Sequence, residues 1–406
     1  MTKFGLLGRK LSHSYSPAIH KELGSYPYEL YEVEPEDLER FLLNGNWSGL
    51  NVTIPYKKDA LSFCHELSVP AKALGSVNTL LRKSDGTIFG DNTDYYGFWE
   101  MARSLGLSYK GKKALVLGSG GASVTVQAVL RELGCHVVVI SRTGENNYSN
   151  LSQHRDASIL VNTTPVGMYP HNGETPLSLQ RFTHLEGVMD VIYNPCRTAL
   201  ILQAEKQRIP CVSGLKMLVY QAARASEQFT GKTISREKAE AVYKKMSADM
   251  ENIILIGMPG CGKSTLGKLL AEKLGRPFYD ADAETEKLLG MSIPQFFAKE
   301  GEAAFREAET TVLCRLASLS GAVIATGGGC VTKEENYDLL HQNGKILWVK
   351  RQLDLLSSHG RPVSQRDGVN TIYEKRKALY QAWSDLAVEN DREPEAAINH
   401  ILEGIL

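Results

Sequence analysis

The sequence predicts an α/β protein of more than one domain. Short apolar, strand-like runs alternate with helical patterns almost throughout, which is the grammar of layered parallel strands with covering helices. Two glycine-rich turns each join such a strand to an amphipathic helix: KKALVLGSGGASVTVQAVLREL (112–133) and NIILIGMPGCGKSTLGKLLAEKLG (252–275). The chain has 406 residues, more than one hydrophobic core ordinarily serves. The seam falls just before the second turn, where SREKAEAVYKKMSADM (235–250) is a charged helical stretch without Gly or Pro that runs straight into a new buried strand.

Composition narrows the function. Lys plus Arg equals Asp plus Glu at 46 each, so the formal net charge is zero. That balance argues against an extended nucleic-acid or membrane-surface field and leaves room for small basic pockets. The seven cysteines (64, 135, 196, 211, 261, 314 and 330) are odd in number and never form a CxxC pair. They suit a reducing compartment and suggest neither a disulfide frame nor a zinc site. The opening MTKFGLLGRK has too short an apolar run for a secretory signal, and no 18-residue apolar span occurs. A soluble cytoplasmic protein is expected.

The second turn carries the strongest motif. Gly257-Met-Pro-Gly260-Cys261-Gly262-Lys263-Ser264, followed by Thr265, fits GxxxxGK[ST] with a strand before it and a helix after. Small residues let successive backbone N–H groups turn inward around phosphates, and the helix N-terminus adds its positive end. In such a loop Lys263 reaches the β- and γ-phosphates of ATP and the Ser264 hydroxyl serves Mg²⁺. Downstream, Asp280 and Asp282 close the next strand, where a parallel sheet presents its ligand edge. Read alone, the two acids would equally make an ordinary acidic helix start. The order YDADAETEK, GEAAFREAE, VIATGGGCV, GRPVS and YEKRKALY behind the loop resembles shikimate kinase over essentially all of 252–390. The resemblance implies a P-loop domain with a parallel sheet. It makes Asp282 the candidate base at the 3-hydroxyl, pairs Asp280 with Ser264 at Mg²⁺, and sets Arg306 and Arg376 on the substrate carboxylate. Gly328 would line the pocket, and Arg361 would descend on the phosphates from a lid. The lid stretch SSHGRPVSQRDG lacks the further basic residues the family often places before Arg-Pro.

The first turn, Gly118-Ser-Gly120-Gly121-Ala122-Ser123, is an imperfect GxGxxG, with Ser123 at the third glycine; a tight structural turn explains it equally well. The next strand ends in Ser141-Arg142-Thr143, where an NAD-binder places an acid, and Arg142 there favours the 2′-phosphate of NADP. In the first hundred residues, VTIPYKKDA (52–60) reads as a buried strand halted by Pro55, then two lysines opening a helix. LSHSYSPAIH, GLNVTIPYKK, GSVNTL, FGDNTDYYGF, VNTTPVGM, DVIYNP and GLKMLVYQAA together resemble shikimate dehydrogenase from residue 4 to about 246. That likeness implies a substrate domain over 1–105, completed by helices at 214–246, a Rossmann-like NADP domain over 106–213, and then the kinase over 250–406.

The likeness also assigns residues. Lys57 and Asp94 become the catalytic pair, Lys57 donating a proton to the carbonyl while hydride arrives from NADPH. Ser14, Ser16, Thr53, Asn78, Tyr193 and Gln221 join them around the substrate. Gly118, Gly120, Gly121, Ala122, Ser141, Arg142, Thr143, Gly214 and Met217 surround NADP(H). Lys58 is expected to face solvent. The chain departs from the family at Ser141, where Asn is usual, and at the basic GRKLSHS loop. The expectation is a bifunctional enzyme acting on 3-dehydroshikimate and shikimate with NADP(H), ATP and Mg²⁺. Two alternatives stand beside it: quinate as the first half's substrate, and a second half kept as a nucleotide-binding regulatory module.

Overall fold

The computed structural model describes residues 3–11, 14–24, 26–356, 362–391 and 393–405. Its described residues form two compact units: Met1–Val166 with Thr175–Tyr193 and Gln203–Met246, and Gly167–Glu174 with Asn194–Leu202 and Ser247–Leu406. None of their helices is long and apolar enough to cross a membrane.

The first unit holds two sheets. One consists of β1 (Phe4–Gly8), β2 (Tyr28–Glu32), β3 (Gly49–Val52), β4 (Glu66–Leu67), β5 (Thr79–Arg82) and β6 (Ile88–Asp91), in the order β2-β1-β3-β5-β6-β4. β1 runs parallel to β2 and β3, whereas β3–β5 and β5–β6 are antiparallel. The expected parallel pattern fails at a hairpin. Lys83 N donates to Thr87 O at 2.8 Å, and Gly86 sits at φ +85°, a conformation a Cβ would oppose. Asp85-Gly86 between two apolar runs is hairpin chemistry, so the signal was present.

After β3, where the sequence reading expects an α-helix opened by two lysines, the chain makes a turn and then a 3₁₀ helix, Asp59–Phe63. The cause is local. Val77 N donates to the Lys57 carbonyl at 2.8 Å, removing the acceptor a helix would need there.

The other sheet is all parallel: β7 (Lys113–Leu117), β8 (His136–Ile140), β9 (Ile159–Asn162), β10 (Gly187–Asp190) and β11 (Cys211–Ser213), in the order β11-β10-β9-β7-β8. β7 feeds the glycine-rich turn and the helix Gly121–Glu132. Helices Thr93–Arg103 and Leu215–Thr230 pack on each other, and Phe98, Met101 and Met217 share one core with Val116, Val126 and Val161.

The second unit is built on β12 (Asn252–Ile256), β13 (Phe278–Asp280), β14 (Val323–Ala325), β15 (Gly344–Lys350) and β16 (Leu386–Glu389), ordered β13-β14-β12-β15-β16 and all parallel. All five residues of β12 are buried, as an apolar run covered on both faces should be. The helix Arg236–Met250 ends with only Glu251 before β12. Two stretches that lie within 106–213 in sequence pack with this unit instead. Arg197 Nη2 pairs with Glu251 Oε1 at 2.7 Å and Nη1 donates to His341 O at 2.9 Å. The Tyr169 hydroxyl donates to Ala317 O at 3.0 Å, and Asn172 Nδ2 to Gln342 Oε1 at 2.8 Å.

Candidate active sites

In the first unit a cavity of about 380 Å³ opens where β1 and β3 end. Ser14, Ser16, Thr53, Lys57, Asn78, Asp94, Tyr193 and Gln221 line it. Pro17 starts the helix Ser16–Leu23, and Ser14 Oγ accepts from Ser16 N at 3.2 Å, so Ser14 also steadies its own loop. Asn78 has a similar double role: its Oδ1 accepts from Thr93 N at 2.6 Å, fixing the start of the helix that carries Asp94. Its Nδ2 donates to Gln221 Oε1 at 3.4 Å. Lys57 Nζ lies 2.5 Å from Asp94 Oδ2, with the two side chains 33% and 18% exposed, open enough to meet a ligand. Lining residues not picked out from the sequence include Lys10, Tyr15, Asn51 and Leu218. Tyr15, between the two serines, meets Tyr193 edge-on at 6.0 Å.

Two further cavities share Ser119 and Gly120. One, about 730 Å³, is lined by Gly118, Ser141 and Arg142, with Tyr148 beside them. The other, about 610 Å³, is lined by Gly121, Ala122, Gly214 and Met217. Lys57, Asp94, Tyr193 and Gln221 line this second cavity as well as the 380 Å³ one, so the lysine–carboxylate pair faces both. Lys58 is exposed and also borders it, whereas Thr143 is exposed and lines neither. Ser123, at the third glycine position, is fully buried, and its hydroxyl donates to Gly118 O at 2.7 Å, closing the turn internally. A helix N-terminus bordered by glycines, with an exposed arginine at the end of β8, fits a dinucleotide carrying a 2′-phosphate.

In the second unit a cavity of about 510 Å³ gathers Gly260, Gly262, Lys263, Ser264 and Thr265 with Asp282, Arg306, Gly328 and Arg376. Gly257 and Cys261 lie behind its wall. The Gly257 and Met258 carbonyls accept from Lys263 Nζ at 2.9 and 3.0 Å, and Cys261 is fully buried. Arg361 lies outside the described residues. Asp280 works twice: Oδ1 accepts from Asp282 N and Ala283 N, capping the helix Ala281–Leu289, while Oδ2 accepts from Ser264 Oγ at 2.5 Å. Two hard oxygens this close at the phosphate loop fit Mg²⁺.

Asp282, in the first turn of that helix, has its carboxyl pushed up to about 6 by burial and then by the neighbouring Glu309. Arg306 Nη1 pairs with Glu309 Oε2 at 2.7 Å on the helix Ile293–Ala317, and Arg376 Nη1 donates to Gly328 O at 3.1 Å. Gly327–Gly329 run between these groups without room for side chains. A Cβ at Gly327 would lie 2.4 Å from Glu309 Oε1, at Gly328 2.6 Å from Pro259 Cδ, and at Gly329 2.0 Å from Arg306 Nη2. Glu309 escaped the sequence reading, although it sits three residues after Arg306 on one helix face.

Residues 6–80 match the family model described as shikimate dehydrogenase substrate binding domain, 214–242 that of the shikimate 5'-dehydrogenase C-terminal domain, and 259–406 that of shikimate kinase. The chain is 33% identical over 269 residues to a shikimate dehydrogenase (NADP(+)) of Clostridium perfringens, covering 61% of this chain and 98% of that protein. Among solved structures it resembles a chorismate mutase/shikimate 5-dehydrogenase fusion protein from Clostridium acetobutylicum (TM-score 0.57, 33% identity, 60% of this chain and 97% of the other). It also resembles the Thermus thermophilus shikimate 5-dehydrogenase in complex with NADP(H) and shikimate (TM-score 0.55, 33% identity, 60% and 99%). The chain therefore belongs to the shikimate dehydrogenase family and carries a shikimate kinase domain behind it in the same polypeptide.

Proposed function

We infer that one polypeptide reduces 3-dehydroshikimate to shikimate and then phosphorylates shikimate on its 3-hydroxyl. The observation that carries the first half is the Lys57–Asp94 pair, which lines a small polar cavity and the neighbouring nucleotide-sized one together. Its counterpart in the second half is Asp282, a part-buried acid of raised proton affinity sharing one cavity with a phosphate loop and two arginines. When bound, NADPH supplies hydride, ATP the phosphoryl group and Mg²⁺ charge neutralisation.

In the reductase, Lys57 donates a proton to the carbonyl oxygen, and Asp94 holds the ammonium and a ring hydroxyl in line. Ser14 and Ser16 take the substrate carboxylate; Thr53, Asn78 and Gln221 order the ring hydroxyls. Tyr193 and Met217 border the nicotinamide side, and Arg142 takes the 2′-phosphate, which sets the NADPH preference. In the kinase, Asp282 accepts the hydroxyl proton, and its raised proton affinity suits a base working near neutrality. Arg306 and Arg376 grip the carboxylate with planar forks, which a lysine cannot match bidentately. The same three functional blocks, 1–105 with 214–246, 106–213 and 250–406, describe the division of labour. The cytoplasm is the compartment this reading needs, and all seven cysteines are free thiols.

The test is a pair of single-site variants. Lys57→Ala should abolish NADPH oxidation and leave shikimate phosphorylation intact; Asp282→Asn should do the reverse. One substitution silencing both activities in folded protein would contradict two separate sites.

A further inference from the structure

Most cations of the kinase cavity are already engaged by protein acceptors. Lys263 donates to the Gly257 and Met258 carbonyls, Arg306 pairs with Glu309 and Glu302, and Arg376 donates to Gly328 O. Arg351 is different. It follows β15 directly, and β15 is the hydrogen-bonded neighbour of β12, the strand that delivers the phosphate loop. Its side chain lines the cavity with Gly260, Gly262 and Lys263. Its Nη1 lies 3.9 Å from where a Cβ on Gly262 would stand. Its Nε is buried without an acceptor. Among the described residues no carboxylate pairs with it.

The backbone holds this arginine in place from both sides. Asn390 N donates to Lys350 O at 2.9 Å, and Gln352 N donates to Asp391 Oδ1 at 2.7 Å. Asn390 in turn ties the same edge to the loop, its Nδ2 donating to Cys261 O at 2.8 Å. A buried N–H without an acceptor costs free energy, so it persists where a ligand completes it or function requires it. A guanidinium beside inward-turned loop amides matches one ligand chemistry, the phosphates of a nucleotide.

We propose that Arg351 is a fixed phosphate-binding arginine for the α/β-phosphates of ATP and ADP. It acts from a strand end rather than from a lid, so its contact exists before any closure. The sequence SSHGRPVSQRDG lacks further basic residues before Arg361, and Arg351 supplies charge from the end of β15. The inference rests on this cavity being the nucleotide site.

Equilibrium binding of Mg-ADP to the full chain tests it, with Arg351→Met and Arg351→Lys. A lost charge-assisted contact should weaken ADP roughly 10- to 100-fold in the Met variant. Lys, which keeps the charge and loses the fork, should fall between. KM for ATP should rise in parallel, while KM for shikimate and NADPH oxidation stay unchanged. The nucleotide-free melting midpoint should hold or rise, because the substitution removes an unsatisfied donor. ADP affinity within twofold of the unmodified chain in both variants would overturn the inference alone. So would a lowered nucleotide-free midpoint with an unchanged ADP-induced rise, the mark of a structural arginine. Failure of the unmodified chain to bind ADP would instead overturn the nucleotide reading of the cavity, and the inference with it.

Discussion

Replacing Asp282 by Asn should stabilise the second unit while abolishing phosphorylation. The carboxyl rises from 3.8 to about 6 in the folded protein, first through burial and then through Glu309. At about 1.4 kcal/mol per pH unit, that rise stores about 3 kcal/mol against folding at neutral pH. The sign follows from proton binding. Between 3.8 and 6 the native carboxyl binds more protons than the unfolded one, so stability increases as pH falls through that window. Above 6 the full cost of an ionised buried carboxylate is borne. Asparagine has nearly the same shape and no charge, and should recover about 1–3 kcal/mol, or roughly 2–10 °C in a unit of this size. The assay is thermal unfolding at pH 7.5 and pH 5, following the transition that moves upward on adding ADP. The gain should be present at pH 7.5 and shrink at pH 5, where the native aspartate is already largely protonated. A variant no more stable at pH 7.5, or one whose gain does not shrink at pH 5, would refute the buried-acid account. A gain in stability with a loss of turnover is what a site kept strained for function should show.

The remaining predictions concern affinity and pH. Arg142→Ala should raise KM for NADPH at least about tenfold while leaving KM for NADH nearly unchanged, since only the former carries the 2′-phosphate; equal use of both cofactors by the unmodified chain would contradict it. The kcat/KM for shikimate in the kinase reaction should decline below a limb near pH 6, the value set on the Asp282 carboxyl. Glu309→Gln removes one of the two named causes and should move that limb to lower pH, with the carboxylate-binding role of Arg306 read separately as a higher KM.

Much of the fold was legible because its signals are local. The phosphate loop needs small residues, a lysine and a hydroxyl within eight positions, and β12 announces itself by the four apolar residues Ile253–Ile256 in a row. The antiparallel turn at Asp85-Gly86 is equally local, and it departs from the general strand–helix alternation. What stayed hidden depends on distance in sequence. The Lys57 carbonyl is claimed by Val77, so no nearby residue could reveal that a helix would not form after Pro55. Arg197 joins Glu251 and the carbonyl of His341 across 54 and 144 positions. Glu309 and Arg351 gain meaning only once β12, β15 and the helix after Gly301 surround one cavity. The residues that line the reductase cavity come from six separated stretches, and family likeness rather than periodicity brings them together.

One incubation tests the central claim most directly: purified full chain with 3-dehydroshikimate, NADPH, ATP and Mg²⁺, following NADPH loss and quantifying phosphorylated product. Two catalytic sites predict one equivalent of NADPH consumed per 3-dehydroshikimate and its conversion to shikimate 3-phosphate. Without ATP, the same NADPH loss should leave shikimate as the product. NADPH consumption with shikimate accumulating in the presence of ATP, and no phosphorylated product, would contradict the account.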